Sequence, residues 1–593
     1  MPVACVVKAE LERLLGIQRT DDEFSQVLAD MGLELDEVVM KPERSIEGSM
    51  TMEPVKHYNI DVTANRSDVL CVEGLAVALR PFLGLGRPCQ RLTSPSHLQV
   101  YVDCARVGLV RPYLVSAVVR HVHFTQTSYN SFIDYQEKLH QNLGRRRTLV
   151  AIGAHDLKKL DPTHITYTAE PPEQISFRAL NQAEKLDGRS LFAVLGSDQR
   201  LKEYLPLLQG HVHWPVIRDG RGEVLSLPPI INSEYSKIDL STTDVFIECT
   251  AMDLTRAQAA LCVLTNALVM HTSKQTDIET VTVIYDGYNE SPHHDALRTG
   301  QLITPSSLNA AIDIPCSRFC DVAGIPRDIL SPAEICKFLE RVGIDATPLS
   351  SIAASGRNDS VLRCRAPFYR PDIIGEPDIV EQFCISFGFN NIAKYARLPP
   401  SATIGNTLPG FQLAELVRGE LVACGYTELA LFSLCALEDA AFGALHVELQ
   451  NSRTAQFTHG RGSLVPGLLQ TASEHQTRQL PIRVFEVGEV LVPISEENDD
   501  VGVRARRRIA CLQGGPRDDF SSVHGVVDRL ARRMGVSARL EGEDEEGTCL
   551  SGRRAAIYFG EKKVGWLGVI APSVLAAYGV PFPCTAMELN LDE

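Results

Sequence analysis

The sharpest cluster of potential chemistry is RPDIIGEPDIVEQFCISFGFNN (370–391). Pro377 suits the first turn of a helix. Asp378, Glu381 and Gln382 then fall at i, i+3 and i+4, on one helix face. Asp372 precedes Asp378 by six residues and could reach that face from the incoming strand or turn. Three carboxylates and an amide oxygen make a hard, all-oxygen set, which suits Mg²⁺ better than zinc. The competing reading is a solvated acidic first turn, favoured by the helix dipole. Ile379, Val380, Phe383, Cys384 and Phe387 take the opposite face and form a core stripe.

The second cluster is SLPPIINSEYSKIDLSTTDVFIECTAMD (226–253). Ser226, Asn232, Glu234, Glu248 and Thr250 are polar groups around strand ends, able to bind an amine, a hydroxyl and a water. No Ser–His–Asp or Cys–His arrangement accompanies them. Ordinary strand-edge and turn chemistry is the competing reading. The chain has no G-x-x-x-x-G-K-[ST], G-x-S-x-G or H-E-x-x-H motif. Its 16 cysteines include no C-x-x-C pair, which argues against zinc knuckles and dithiol redox and suits a reducing cytosol. The basic runs RRR (145–147) and RARRR (504–508) could touch nucleic acid, but short basic runs are commonly solvated loops. LGLGRP (83–88) holds a lone G-x-G, and EGEDEEG (541–547) reads as an exposed acidic turn.

The elements that must carry these residues fall into four blocks within 593 residues, too many for one compact unit. The first ends near residue 90. There YNIDVTAN reads as strand and turn, Ser67 as a helix cap, and Pro81 as the helix stop. The second, 95–275, holds the amphipathic helix SFIDYQEKLHQNLG, a hairpin about DGRG, and the closing helix LTRAQAALCVLTNALVMH. In the third, roughly 280–395, the strands ETVTVIYDG and SVLRCRAPF flank the helix SPAEICKFLERVG, with a Ser331–Glu334 capping box. The fourth, 405–593, opens with the helix FQLAELVRGELVACGY, stopped at Gly425, and continues in strands. The fold class is α+β throughout. Net charge is −16, which disfavours a blanket grip on phosphate backbones and leaves room for local basic patches. No apolar stretch approaches the ~20 residues needed to span a bilayer. Lys8, Glu10, Glu12 and Arg13 come too early for a signal-peptide core, so the expected location is the cytoplasm, with no membrane partner.

Read in order, these strings resemble the beta subunits of cytosolic phenylalanyl-tRNA synthetases of the archaeal and eukaryotic type. The resemblance rests on DVTANRSDVLCVEGLAVALRPFLG, SFIDYQEKLHQNLGRRRTLVAIGAHDL, PVIRDGRGEVLSLPPIINSEYSKI, DVFIECTAMDLT, RPDIIGEPDIVEQFCISFGFNNI, HGRGSLVPGLLQT with LPIRVFEVGEV, and GWLGVIAPSVLAAYGV. It implies a class II aminoacyl-tRNA synthetase of two alpha and two beta chains. The alpha subunit would hold the site that charges tRNA(Phe) with phenylalanine using ATP. The beta chain would carry an N-terminal α+β domain (1–90), an editing domain of mixed strands and helices that hydrolyses mischarged Tyr-tRNA (95–275), and a metal-bearing α+β domain (285–395). A class II-like antiparallel sheet with helices, catalytically inactive and facing the alpha subunit, would follow (405–593). RVFE (483–486) resembles one arginine motif of the class II core, but no G-x-G-x-G-x-x-R completes the pair.

The resemblance carries Mg²⁺ onto Asp372, Asp378 and Glu381. The next position is usually acidic and here is Gln382, which implies weaker metal binding. For editing it implies Glu234 as the group that recognises the tyrosine hydroxyl or orients the hydrolytic water, with Thr250 beside it. Ser226, Asn232 and Glu248 are implied as substrate-binding groups. The alternatives are a structural subunit with a decayed editing site and a free-standing trans-editing hydrolase.

Overall fold

The computed structural model describes residues 2–44, 50–87, 92–272, 278–288, 300–349, 360–395, 405–443, 446–494, 501–543 and 547–592. The chain divides into two compact units, Met1–Ser401 and Ala402–Glu593. Of the acidic run 541–547, residues 544–546 lie outside the described residues.

The first unit opens with β1 (Val3–Val7), α1 (Lys8–Leu15), α2 (Asp21–Asp30), β2 (Glu34–Arg44) and β3 (Met50–Asp61). The strands pair antiparallel in the order β1-β3-β2. Helix α3 (Val72–Phe82) follows. Ser67, expected as its cap, instead opens a 3-10 turn, and Cys71 takes the cap, its Sγ accepting from the Gly74 N–H. Pro81 sits inside the last turn rather than beyond it. The lone G-x-G is a helix-ending turn: Gly84 and Gly86 have φ of 73° and 77°, a region glycine enters without steric cost.

Ten strands then form the central sheet. In chain order they are β4 (Leu92–Asp103), β5 (Tyr113–Val119), β6 (Val150–Asp156), β7 (Ile165–Glu170) and β8 (Trp214–Arg218). The rest are β9 (Val224–Leu227), β10 (Ile231–Asn232), β11 (Val245–Ala251), β12 (Ile278–Asp286) and β13 (Gln301–Thr304). Their order is β10-β9-β8-β7-β4-β12-β5-β11-β6, with β13 on β12. The β8–β9 hairpin turns about DGRG as its composition predicts. Strand β12, the ETVTVIYDG run, departs from expectation. It lies between β4 and β5 in this sheet instead of beside SVLRCRAPF.

Helices α4 (Gln126–Gln141) and α5 (Leu254–Val269) belong to this sheet. Strand β11 is buried on both faces, as are residues 257–269 of α5. A helix apolar all round has to be covered on every side. The first two blocks therefore share one continuous core, running from Ala4 to Tyr285.

A smaller antiparallel sheet follows, with β14 (Ile312–Pro315), β15 (Asp345–Leu349) and β16 (Val361–Arg365) in the order β14-β16-β15. Three helices cover it: α6 (Cys316–Ala323), α7 (Pro332–Arg341) and α8 (Glu376–Phe387). The Ser331–Glu334 capping box forms as read. Phe319 and Phe383 meet edge to face at 5.3 Å in this core.

In the second unit, α9 (Pro409–Ala423) and α11 (Phe520–Arg533) are the longer helices, with α10 (Val465–Glu474) between them. The strands are β17 (Thr427–Glu428), β18 (Ile482–Pro493), β19 (Val503–Gly514), β20 (Ala538–Gly542), β21 (Cys549–Phe559), β22 (Lys562–Ile570) and β23 (Cys584–Asn590). Their order is β17-β18-β19-β23-β22-β21-β20, antiparallel except for β17 on β18. RARRR lies within β19, so it is not the solvated loop that its composition suggests. Arg508 reaches Glu588 at 3.3 Å, and Arg507 stacks over Phe411 at 4.5 Å.

Leu264 of α5 is fully buried beneath the central sheet. Leu264→Ala should cost about 2–5 kcal/mol in urea unfolding, the usual range for a large-to-small change in a closed core.

Candidate functional site

A cavity of about 770 Å³ opens between α4 and the strands β6, β9, β10 and β11. That volume falls within the ~300–1,000 Å³ of ordinary small-molecule sites. Its apolar lining includes Ile133, Ile152, Leu180, Ile230 and Ile238.

Glu248 forms the polar floor. It sits on β11 opposite Gly153 of β6, so strand alternation puts its side chain on the face shared with Phe246 and Thr250. Glu248 is 2% exposed, and Ser226 of β9 donates its hydroxyl to Oε1 at 3.0 Å. Its second oxygen, Oε2, has no hydrogen-bond partner. His155 lies behind it, with Nε2 also unpartnered and 3.9 Å from Oε1. The other ring nitrogen, Nδ1, lies 2.7 Å from the Ser236 hydroxyl. Gly153 makes room for the group: a Cβ there would lie 2.3 Å from Glu248 Oε1. Buried polar atoms are nearly always paired, because an unpaired one costs about 1–3 kcal/mol. Oε2 is itself shielded from solvent, so a turn of the Glu248 side chain toward the cavity it lines would let a ligand's hydrogen-bond donor satisfy it.

The opposite wall is a polar chain on α4. The Ile152 N–H donates to His140 Nε2 at 2.8 Å, so the proton of the neutral ring sits on Nδ1, 3.3 Å from Glu137 Oε2. Burial, with the nearby Arg147 charge, pulls His140 down to about 4. Burial would raise Glu137, but hydrogen bonds from His140 and Gln141 and the charge of Arg147 outweigh it and hold the carboxyl at about 2. Arg147 also donates to the Ile230 carbonyl at 2.9 Å and stacks over Tyr204 at 4.4 Å.

Arg145, Arg146 and Arg147 adopt φ of 45°, 53° and 62° in succession. Each left-handed L-residue costs roughly 1–2 kcal/mol, so this turn must be held by its surroundings. Thr148 Oγ1 donates to the Arg145 carbonyl at 2.6 Å, and the Leu149 N–H donates to the Gly144 carbonyl at 2.9 Å.

Of the residues expected from sequence, Ser226, Asn232 and Glu248 all line this cavity. Asn232 pairs across from Ser226 in the β9–β10 ladder. Glu234 does not line it. Its carboxylate accepts from the Asn181 N–H at 3.2 Å and from Lys237 at 3.4 Å, two residues that do line it, so Glu234 stands at the rim. Thr250 is held away from the cavity by Arg111, whose Nε donates to its hydroxyl at 3.0 Å and whose Nη2 donates to its carbonyl at 2.8 Å. Burial lowers Arg111 to about 10. Sequence reasoning missed Glu137, His140, Gly153 and His155, and named Arg147 only within the basic run RRR (145–147). Their signals were the i, i+3 spacing of Glu137 and His140 on a helix and the alternation in VAIGAHD.

Four family models match consecutive stretches: the Phe-tRNA synthetase beta subunit B1 domain (residues 1–85), the B3/4 domain (118–286), the tRNA synthetase B5 domain (312–389) and the phenylalanyl-tRNA synthetase beta chain CLM domain (395–591). The phenylalanine--tRNA ligase beta subunit of Mus musculus is 34% identical over 100% of both chains. This chain belongs to the phenylalanine--tRNA ligase beta subunit family. It is thus a component of an aminoacyl-tRNA synthetase. The Arabidopsis thaliana relative, "Phenylalanine--tRNA ligase beta subunit, cytoplasmic", is also 34% identical over the full length of both chains. An N-terminal fragment of the Pyrococcus horikoshii beta subunit superposes with a TM-score of 0.54 at 28% identity, covering 65% of this chain and 99% of the fragment.

The Mg²⁺ set implied by the beta-subunit resemblance does not assemble. Arg370 grips Asp372 through two hydrogen bonds of 2.9 and 2.8 Å, and both side chains are buried. Asp378 turns Oδ2 to the N–H groups of Ile374 and Gly375, both at 2.8 Å. Glu381 points to solvent, while Gln382 is buried, so the two part company on α8. Among the described residues, no group of three or more His, Cys, Asp or Glu side chains is placed to hold a metal. Asp372 belongs instead to a lattice of ion pairs. Arg66 binds Asp68 through two 2.9 Å bonds, and the Arg370 charge acts on the same Asp68. Burial works to raise Asp68, and the two guanidiniums outweigh it. The adjoining cavity, lined by Arg66, Asp68, Arg370 and Gln382, measures about 20 Å³, room for a water but not for a hydrated Mg²⁺.

In the second unit, Glu486 of the RVFE run is buried against Arg461 at 2.8 Å, and burial raises its carboxyl despite that charge. Arg483 donates to Gln513 at 3.3 Å.

Two outcomes follow. Breaking one half of a buried ion pair costs about 3–5 kcal/mol. Asp372→Ala should lower urea-unfolding stability by that much, while a chelator leaves the wild-type transition where it was. The second concerns His140, whose folded value near 4 lies below its ordinary 6.5, so the unfolded chain binds the proton more readily. Stability is full above about pH 6.5 and falls by up to about 3 kcal/mol as pH drops through 4. His140→Gln, which can still accept from Ile152, should flatten that slope in pH-dependent urea melts.

Proposed function

We propose that this chain works in the cytoplasm with an alpha subunit that charges tRNA(Phe) with phenylalanine at the expense of ATP, and that its own cavity hydrolyses mischarged Tyr-tRNA(Phe). The observation that supports this reading most is Glu248, a buried carboxylate lining the cavity that keeps one oxygen, Oε2, without a hydrogen-bond partner. A tyrosine side chain has an apolar ring for the lining and one hydroxyl for that oxygen. Phenylalanine would fill the same space and leave the carboxylate unpaired. Sites built to hydrogen-bond a hydroxyl discriminate strongly against the analogue lacking it.

Ser226 and Gly153 fix the carboxylate, and Asn232 stands on the adjoining strand to meet the amino or ester group. Water adds to the ester carbonyl, the bond to the ribose oxygen breaks, and that oxygen takes up the proton. Free tyrosine and uncharged tRNA leave. No step is assigned to Mg²⁺. The second unit acts as packing surface for the alpha subunit, since Glu486 and Arg461 are already engaged with each other. A decayed pocket would have no physical reason to keep a buried, half-unpaired carboxylate, which argues for an active site over a purely structural subunit.

A charge-assisted hydrogen bond is worth about 1.5–3 kcal/mol. In the complex with its alpha subunit, Glu248→Gln should therefore lower kcat/KM for Tyr-tRNA deacylation about 10- to 100-fold, with phenylalanine charging unchanged. Glu234→Ala, at the rim, should have a smaller effect. Unchanged deacylation in Glu248→Gln would remove that residue from the role.

A further inference from the structure

The cavity mouth carries cations that nothing in the pocket chemistry uses. Arg147 lines the cavity, and Arg145 and Arg146 are joined to it by successive ~3.8 Å Cα steps, so their backbone runs beside the lip. Both are exposed, and neither forms an ion pair among the described residues. Arg147 differs, because its charge is engaged with Glu137 at 3.0 Å. Lys237 is likewise engaged with Glu234. Arg200 is an exposed lining residue without an ion pair among the described residues. Asp198 accepts from the Arg200 and Leu201 N–H groups at 2.7 and 3.1 Å, which holds that segment at the lip. Glu203 is a carboxylate on the same rim. The chain as a whole carries −16, so guanidiniums without an ion pair among the described residues stand out beside this cavity.

The left-handed turn makes this placement firm. Three successive non-glycine residues at positive φ are held by the Thr148 hydroxyl, the Gly144 carbonyl and the Arg147 bond to Ile230. A Cβ at Gly144 would come within 2.5 Å of the Val150 carbonyl, so the approach needs glycine there. Backbone held against its preference at the lip of a cavity is where a positioning role is expected.

We infer that Arg145, Arg146 and Arg200 form a phosphate-binding rim that grips the sugar–phosphate backbone of a single-stranded RNA 3′ end and feeds its terminal aminoacyl ester into the cavity. The inference rests on the hydrolytic reading above and adds to it the residues that recognise the RNA. The guanidinium fork matches phosphate oxygens and reads no base, so the grip is independent of sequence.

The test uses the chain in complex with its alpha subunit and two substrates, full-length Tyr-tRNA and 3′-tyrosyl-adenosine, which has no phosphate. The variant is Arg145→Asn with Arg146→Asn, because asparagine tolerates the left-handed region. For Tyr-tRNA, KM should rise on the order of tenfold with kcat unchanged. The slope of log(kcat/KM) against log[salt] should become shallower by about 1.4, for two lost single-strand phosphate contacts. Hydrolysis of tyrosyl-adenosine should not change, and Arg145→Lys with Arg146→Lys should restore the salt slope. An unchanged KM and salt slope in the asparagine variant would overturn the rim. A wild-type complex that hydrolyses neither substrate would instead overturn the hydrolytic reading.

Discussion

One carboxylate oxygen organises the first unit. Glu248 Oε2 is buried and unpaired, and everything around it is arranged so that it stays that way. Ser226 occupies the neighbouring oxygen, Gly153 leaves the space, and β11 lies between β5 and β6 so that the backbone cannot yield. The ten-stranded sheet and the deeply buried α5 make this rigidity affordable. A cost of a few kcal/mol at one atom is small against a core running from Ala4 to Tyr285.

The two walls of the cavity use opposite electrostatic strategies. The floor keeps an acceptor without a partner. On the α4 wall Ile152 occupies one nitrogen of His140, Glu137 faces the other, and Arg147 neutralises Glu137. Selectivity then lives on the floor, because the wall has no spare hydrogen-bonding capacity directed inward from His140. Elsewhere in the same unit, Arg66, Asp68, Arg370 and Asp372 form a closed set of buried charges. Full internal pairing is what lets four ionised groups persist away from water.

Much of the fold was legible because local rules acted alone. The α7 capping box, the DGRG hairpin, the largely apolar α5 and the glycine after α9 each follow from a few neighbouring residues. Ser226, Asn232 and Glu248 were legible as a cluster because they lie on strands close in sequence. What failed was long-range. Thr250 shares a strand face with Glu248, yet Arg111, far away in sequence, occupies its hydroxyl. Asp372, Asp378 and Glu381 share a helical neighbourhood, but Arg370 and two backbone N–H groups compete for the oxygens at far shorter range than any shared ion. RARRR reads as loop by charge, yet β19 takes it because Glu588 on the next strand and Phe411 cover its arginines. A partner that arrives from another part of the chain leaves no periodic trace.

Strand β12 has a further consequence for how the molecule comes into being. It occupies the seam between β4 and β5, both of which precede it by a long stretch of chain. During synthesis the earlier strands emerge with unsatisfied edges facing each other across an empty slot, and the slot stays open until residue 286 clears the ribosome. Until then the cavity walls rest on two half-sheets, each offering a row of free N–H and C=O groups to any passing strand. The nascent chain is therefore most exposed to mispairing just before the seam is filled, and a chaperone that shields strand edges would matter most in that interval.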